Sequence, residues 1–182
     1  MGQYYLAVIL AEDGKYIRTW ISSFSYNSGM KLIEHSYCDN PFVIAVENLI
    51  GLNGMFYKSR LLWAGDYAEN EDGLDKTIYQ LCNEDDSKLS TPTANYKYKF
   101  IVNHTKRLYI DKRLLKNEIH PLPLLVSEGN GRGGGDYNGP YKELCGTWSR
   151  DVISMDNNIP DGYAQFRPEF SLVYECERVS YE

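Results

Sequence analysis

Hydrophobic and polar positions alternate along several short segments of this chain, and a period of two residues is typical of half-buried β-strands. The segment 4–10 is rich in aromatic and β-branched residues, and the segment 16–22 has a similar composition. Between them lies Glu12-Asp13-Gly14-Lys15, and an Asp-Gly pair suits the tight turn of a hairpin. The N-terminal residues therefore predict a β-hairpin.

A second hairpin is predicted between residues 96 and 110. Residues 96–103 alternate, which places Tyr98, Phe100 and Val102 together with Tyr96 on the inward face. A turn over residues 103–106 follows, and Leu108 and Ile110 then resume that inward face. The turn carries His104, which becomes a candidate for chemistry.

One helix has clear start and stop signals. Asn40 precedes Pro41, and an asparagine can cap the free backbone N–H groups of a helix whose first turn accepts proline. Gly51 or Gly54 ends the helix. The apolar positions that fall on one helical face are Phe42, Val43, Val46, Leu49 and Ile50.

Strands outnumber helices in this reading and arrive mostly as hairpins. The sequence therefore predicts an α+β fold, with a mainly antiparallel sheet and one principal helix packed on one face. The 182 residues fit a single globular domain, 1–182. The weaker elements are strands in 58–63, 146–155 and 163–177, a short helix with Leu74, Ile78 and Leu81 on one face, a helical turn in 112–116, and a strand or a helical turn in 30–35.

Composition narrows the function classes. The net charge of −6 and the pI near 5.1 argue against general affinity for nucleic acids. No apolar run reaches membrane-spanning length, and no signal peptide is recognised, so a cytoplasmic protein with reduced thiols is expected. The four cysteines form no CxxC pair and the three histidines lack the spacing of a metal-binding helix, so neither a metal nor a cofactor is predicted.

The most unusual stretch is 120–139, HPLPLLVSEGNGRGGGDYNG, in which a proline-stiffened apolar run leads into six glycines. Backbone N–H groups of such a loop can converge on an anion, and Arg132 adds a planar donor fork. Glu128 and Asp136 would repel an anion and suit a cation, an amine or a hydroxyl instead. The loop 128–139 has neither a P-loop nor a dinucleotide motif, so a surface loop whose glycines only let the chain turn is the alternative. The predicted ligand-binding residues here are Gly131, Arg132, Gly133, Gly134, Gly135 and Asp136.

Catalysis would need a histidine and a carboxylate near this loop. His104 lies at the tip of the second hairpin, and His120 precedes Pro121 at the entrance to the loop. Asp66, at the end of a predicted strand, or Asp136 would supply the carboxylate. His104 and Asp66 have the alternative of ordinary turn residues, and His120 has that of a hydrogen-bonded structural residue.

Trp148 and Arg150 complete the predicted binding residues. On the strand predicted for 146–155 they would share one face, where an arginine beside a tryptophan could clamp a ligand. Arg150 could instead pair with Asp136 and brace the loop, and this bracing role is preferred. Cys145 has no base assigned to it, so a buried, unreactive thiol is expected.

Several segments carry a resemblance that spans most of the chain. These are MGQYY, WAGDYAE, IVNHTKRLYIDK, IHPLPLL with GNGRGGGDY, and GTWSRDVIS. Together they resemble a family of small uncharacterised proteins of bacteria and their phages. The resemblance implies a bacterial or phage cytoplasmic origin, and it implies no catalytic residue.

The expected function is therefore a binding or interaction protein. It would modulate a host protein or bind a small anionic ligand through loop 128–139. The alternative is a hydrolase or transferase that acts on a phosphorylated small molecule with a His/Asp pair near that loop. A third reading gives the loop to a contact between copies of a homo-oligomer.

Overall fold

The computed structural model describes residues 2–89, 96–116, 118–130 and 134–168. Within them an eight-stranded, mostly antiparallel sheet is accompanied by four α-helices, which confirms the predicted α+β class. No helix among these residues has the length and apolar composition to cross a membrane. The strands are β1 (Tyr5–Leu10), β2 (Ile17–Ser22), β3 (Ser59–Gly65), β4 (Phe100–Asn103), β5 (Leu108–Asp111), β6 (Ser127–Glu128), β7 (Val152–Asp156) and β8 (Ala164–Gln165), and the helices are α1 (Leu32–His35), α2 (Pro41–Ile50), α3 (Ile78–Glu84) and α4 (Pro121–Leu125).

Strand β3 organises the sheet, whose strand order is β2-β1-β3-β7-β4-β5-β8. One edge of β3 pairs with the whole length of β1. The other edge is shared: β7 pairs antiparallel with Ser59 and Arg60 at its start, and β6 pairs parallel with Trp63 and Ala64 near its end. The two ends of β3 therefore lie beside different parts of the chain.

Helix α2 forms as its sequence signals predict. The Oδ1 atom of Asn40 accepts hydrogen bonds from the N–H groups of Phe42 at 2.9 Å and Val43 at 3.3 Å, and Gly51 follows the last helical residue. The apolar face of α2 packs in the main core, together with α4 and one face of the sheet. Burial of that face, more than helix propensity, stabilises a helix of this length.

The second face of the sheet is also covered. Leu6, Val8, Leu62 and other residues of β1, β2 and β3 form a second apolar cluster with Ile78 and Cys82 of α3. The prediction of one principal helix holds for α2, which is the longest helix of the described residues, but α3 adds a layer on the opposite side. Helices on both faces explain why every residue of β1 is buried.

The predicted orientation of β4 is wrong. Ile101 lies in the main core, opposite Ile110 in the register of the hairpin, whereas Phe100 and Val102 lie on the other side of the strand. All four residues of β4 are buried, including Asn103. Because both faces of β4 are buried, the alternation of side chains does not indicate which face meets the main core.

The strand predicted for 146–155 is also only partly correct. Strand β7 begins at Val152, and residues 146–150 form successive turns. In these turns the N–H groups of Gly146 and Trp148 donate to the carbonyl oxygens of Leu124 and Leu125, at 2.9 Å and 2.8 Å. Of the closing strands predicted in 163–177, β8 is present, and residues from 169 onward lie outside the described part of the chain.

Candidate functional site

Three segments that are far apart in the sequence meet beside the end of β3. They are residues 3–5, residues 65–67 and the described parts of the glycine loop, 128–130 and 134–139. These segments belong to three of the sequence motifs singled out above. Gly131, Arg132 and Gly133 lie outside the described residues, so their ligand contacts stay a prediction.

Gln3 joins these three segments. In the amide orientation that satisfies both of its ends, the side-chain nitrogen donates to the Tyr5 hydroxyl at 2.8 Å, and the oxygen accepts from the N–H groups of Asn130 at 3.0 Å and Tyr67 at 3.2 Å. The backbone N–H of Gln3 donates to Oδ1 of Asp136 at 3.4 Å. Gln3 is buried, and a buried amide is costly to leave without partners. This network therefore holds the loop against the sheet.

Two glycines of the loop are required by close packing. Gly135 has a φ of +55°, which disfavours a side chain, and a Cβ atom there would collide with the side-chain amide of Gln3. A Cβ atom on Gly134 would lie 3.0 Å from Sγ of Cys145. Burial raises the pKa of the Cys145 thiol to about 11, so the thiolate that would act as a nucleophile is scarce near neutral pH. Gly134 and Gly135 thus seat the loop on the protein.

The two candidate aspartates bind backbone groups of the N-terminal segment. Oδ1 of Asp66 accepts from the N–H of Tyr4 at 3.0 Å, and the N–H of Asp66 donates to the carbonyl oxygen of Tyr4 at 3.0 Å. Asp136 accepts from Gln3 as described. Both carboxylates therefore have a structural role at this end of β3.

His104 lies beside the opposite end of β3. The backbone N–H of His104 donates to the carbonyl oxygen of Val152 at 2.8 Å, and Val152 pairs with Arg60 near the start of β3. Seven residues of strand, at about 3.3 Å each, separate the two ends by roughly 20 Å. The structure therefore does not bring His104 together with Asp66 or Asp136.

His104 belongs instead to a chain of polar side chains. Its Nδ1 atom lies 3.0 Å from the Tyr163 hydroxyl and its Nε2 atom 2.7 Å from Oγ of Ser154. Ser154 in turn donates to Asp156, which also accepts from the Tyr57 hydroxyl at 2.9 Å. Because the proton of Ser154 points to Asp156, Nε2–H of His104 donates to the serine, the reverse of what activates a serine nucleophile. Burial and the charge of Lys58 lower the pKa of His104.

His120 is buried and caps α4. Its Nδ1 atom accepts from the N–H of Leu122 at 3.2 Å, so this nitrogen carries no proton and Nε2–H donates to Glu47 at 2.7 Å. Lys112 also donates to Glu47, at 2.6 Å. Burial alone would raise the pKa of Glu47, but His120 and Lys112 together hold it below its usual value. Sequence reasoning missed Glu47, although its position four residues after Val43 places it on the apolar face of α2.

The third histidine, His35, is a core residue. Its Nδ1–H donates to the carbonyl oxygen of Gly29 at 2.9 Å, and Nε2 accepts from the indole N–H of Trp63 at 2.9 Å. Burial lowers the pKa of His35 to about 4. Across residues 2–89, 96–116, 118–130 and 134–168, no group of three His, Cys, Asp or Glu side chains is arranged to hold a metal ion.

Arg150 braces the loop, but its partner is Glu128 and not the predicted Asp136. Its Nε and Nη2 atoms donate to Glu128 at 2.9 Å and 2.5 Å, and its Nη1 and Nη2 atoms donate to Glu71 at 3.0 Å and 2.5 Å. A fifth hydrogen bond runs from Nη1 to the carbonyl oxygen of Gly14 at 3.2 Å. All five N–H groups of the guanidinium are therefore used. Trp148, the other member of the predicted pair, is buried and packs against Phe166 with 5.5 Å between ring centroids.

A cleft of about 640 Å³ opens beside Arg150, between the turn of the β1–β2 hairpin and the segment that leads into α3. We call it the acidic cleft. Its apolar walls come from Tyr16, Ile17, Leu74 and Leu81. Its charged lining consists of Glu71, Asp72, Glu84, Asp85, Lys15 and Arg150.

Negative charge dominates the acidic cleft. Arg150 is neutralised by Glu71 and Glu128, and Glu84 is paired with Lys76 at 2.6 Å. Asp72 and Asp85 have no cationic partner within the described residues. The backbone N–H of Ser87 donates to Oδ1 of Asp85 at 2.6 Å, and hydrogen bonding from Ser87 lowers the pKa of Asp85. In the described part of the chain, two unpaired carboxylates, Asp72 and Asp85, thus stand against one unpaired lining cation, Lys15, beside apolar surface, and the balance is negative.

The chain matches no protein-family model, and comparisons with curated proteins and with solved structures found no match.

Proposed function

We propose that this is a binding protein whose acidic cleft takes a cationic group, an amine or a guanidinium, carried on an apolar body. The observation that carries the proposal is the composition of the cleft, where four carboxylates and four apolar side chains line one space of about 640 Å³. That volume lies within the range of about 300–1,000 Å³ that is usual for ligand sites. The charge of the cleft selects the ligand class.

The carboxylates of the acidic cleft disfavour a small anion. A phosphate or carboxylate there would meet Asp72 and Asp85, and the guanidinium of Arg150 has no free N–H to offer it. An ammonium or guanidinium gains from the same carboxylates, and its hydrocarbon part can cover Ile17, Leu74 and Leu81. The carboxylate of Glu128, which the sequence offers to a cation, an amine or a hydroxyl, is bound within the protein by Arg150 and Ser149.

The acidic cleft is connected to the glycine loop. Arg150 lines the cleft and binds Glu128, the residue at which the loop begins, so occupancy of the cleft and the position of the loop are linked through one side chain. Tyr16 and Leu74 at the cleft are exposed, and apolar groups beside carboxylates suit contact with a basic partner. A host protein that presents a lysine or arginine side chain would fit this surface.

The test is isothermal titration calorimetry with phenethylamine, which combines an ammonium with an apolar ring. Asp72→Asn should weaken its binding about three- to tenfold, because one partly exposed charge interaction is lost. Asp86→Asn is the matched control. The substitution removes the same charge from another exposed residue, and Asp86 does not line the acidic cleft. Its effect should stay below about twofold.

Two further probes separate the sources of the ligand. Phenethyl alcohol lacks the charge and should bind much more weakly than phenethylamine. A short arginine-containing peptide that binds more tightly than phenethylamine would place the cationic group on a partner protein. Equal binding of the amine and the alcohol, or equal weakening by Asp72→Asn and Asp86→Asn, would contradict the proposal.

A hydrolase or transferase is not proposed. His104 lies at the opposite end of β3 from Asp66 and Asp136. Both ring nitrogens of His120 are hydrogen-bonded within the core, to Glu47 and to the N–H of Leu122. No arrangement among the described residues favours the catalytic alternative over binding.

A further inference from the structure

A second cleft, of opposite charge, is lined by other residues of the β1–β2 hairpin. It has a volume of about 540 Å³, and its lining includes Arg18, Lys58, Arg60 and Tyr57. Glu12 is the one carboxylate among its lining residues. We call it the basic cleft. It stands out because the protein as a whole has a net charge of −6.

The three cations of the basic cleft have no carboxylate partner among the described residues. Other basic side chains of the protein do: Lys106 pairs with Asp151 and Lys112 with Glu47, each at 2.6 Å. Arg18, Lys58 and Arg60 take part in no such pair within the described ranges. Three positive charges against the single lining carboxylate of Glu12 leave a net repulsion among the cations, and a bound anion would relieve it.

The protein nevertheless holds each of these cations in place. Arg60 donates from Nε to the carbonyl oxygen of Glu12 at 2.6 Å and from Nη1 to that of Arg150 at 3.0 Å. Its Nη2 group has no acceptor among the described residues, so these two N–H groups can serve a ligand. The guanidinium carbon of Arg18 lies 4.9 Å from the centre of the Phe56 ring.

Lys58 has an unusual backbone conformation, and its ammonium packs on a ring. Its φ of +55° lies in the left-handed region that residues other than glycine, asparagine and aspartate rarely adopt. Its ammonium lies 5.3 Å from the centre of the Tyr57 ring. This conformation of a lysine directly before β3 costs conformational free energy, and backbone strain of this kind often accompanies a functional site.

Tyr57 supplies a neutral wall. Its hydroxyl donates to Asp156 at 2.9 Å, and burial and this carboxylate raise the pKa of the phenol to about 12. The phenol therefore stays protonated near neutral pH and brings no negative charge to the basic cleft. Asp156 itself is buried and is satisfied by Tyr57 and Ser154.

We propose that the basic cleft is a second binding site, which takes the phosphate group of a small molecule between Arg18, Lys58 and Arg60. Guanidinium groups present donor forks to phosphate oxygens, and an ammonium adds a compact charge. The sequence instead predicts an anion site at loop 128–139, where the carboxylates of Asp66 and Asp136 would repel an anion. The basic cleft is independent of the cationic ligand proposed for the acidic cleft.

The test is calorimetric titration of the full chain with inorganic phosphate, in chloride buffers of matched ionic strength. Lys58→Asn removes one cation and keeps a residue that accepts the left-handed backbone. Arg107→Asn is the matched control: Arg107 also has a φ of +55°, and it does not line the basic cleft. Arg18→Gln, at an exposed strand position, tests a second cation without changing that turn.

Phosphate should bind, and Lys58→Asn and Arg18→Gln should each weaken it at least fivefold, while Arg107→Asn changes it less than twofold. Titration with glucose 6-phosphate distinguishes the source of the phosphate: tighter binding than inorganic phosphate indicates a phosphorylated metabolite, and equal binding indicates the free ion. Absence of binding up to about 10 mM phosphate, an affinity below the millimolar range, overturns the proposal. Equal weakening by Lys58→Asn and Arg107→Asn overturns it as well, because net charge alone would then account for the effect.

Discussion

Replacing Arg150 with methionine tests the junction between the glycine loop and the acidic cleft. Methionine keeps much of the aliphatic packing and, like arginine, is unbranched at Cβ, so the strain of the left-handed backbone at this position, φ +63°, stays similar. What changes is the charge: Glu71 and Glu128 lose the guanidinium that now binds both. The variant thus isolates the ion pairs and hydrogen bonds of Arg150.

The size of the effect follows from burial. The side chains of Arg150, Glu71 and Glu128 are 27 %, 13 % and 31 % exposed, so the cluster is mostly but not fully buried. Removing one partner of a buried ion pair costs about 3–5 kcal/mol, and partial exposure brings the expected loss to about 2–3 kcal/mol. A triple variant that also carries Glu71→Gln and Glu128→Gln should recover at least half of this loss, since it leaves no unpaired charge.

The loss should depend on pH. Burial alone would raise the pKa of Glu128, and Arg150 holds it below the usual value near 4.5. In the wild type this contributes stability above about pH 4.5 that is lost as the pH falls through the lowered pKa. In Arg150→Met only the hydrogen bond from Ser149 still opposes the effect of burial on Glu128, so the carboxylate destabilises the fold at neutral pH and protonation relieves this. The difference between the two proteins should therefore shrink from pH 7 towards pH 4.

Urea unfolding followed by the fluorescence of the buried Trp63 and Trp148 measures this difference. A loss smaller than about 1 kcal/mol at pH 7 would match a solvent-exposed pair and refute the bracing role. A loss that does not change with pH would show that packing, and not charge, accounts for the effect.

Two further predictions concern the core and the loop. Gly135→Ala should lower the free energy of unfolding by about 2–3 kcal/mol, because it strains a left-handed backbone and displaces the buried Gln3. The control Gly73→Ala, at φ +74° with no neighbour within 4 Å, should lower it by only about 1 kcal/mol. Equal losses in urea unfolding would exclude the contact with Gln3. His35 has a pKa lowered to about 4 from the ordinary 6.5, so its stabilising contribution is complete above pH 6.5 and is lost as the pH falls towards 4, by about 3 kcal/mol in total. A His35→Asn variant should lack this part of the pH dependence, and an unchanged slope would show that His35 is not the titrating group.

Local signals predicted several elements correctly. The Asp13-Gly14 pair correctly predicted the turn of the first hairpin, and Asn40 with Pro41 correctly predicted the start of α2. Both signals are local, because caps and tight turns depend on residues next to one another in the chain. The α+β class followed from the number and spacing of such elements. At the functional level, the sequence indicated that Arg150 braces the loop, but it named Asp136 as the partner.

The errors and omissions share a physical origin. The orientation of β4 could not be predicted because contacts from both sides bury it, and the partner of Arg150 could not be predicted because Glu128 and Glu71 lie 22 and 79 residues away in sequence. Neither cleft is visible in the sequence, since each joins the turn of the first hairpin to segments more than forty residues further along. Neighbouring residues specify hairpins, caps and the number of elements through short-range hydrogen bonding. The two oppositely charged surfaces exist only because the folded sheet brings distant side chains together and leaves some of their charges unpaired.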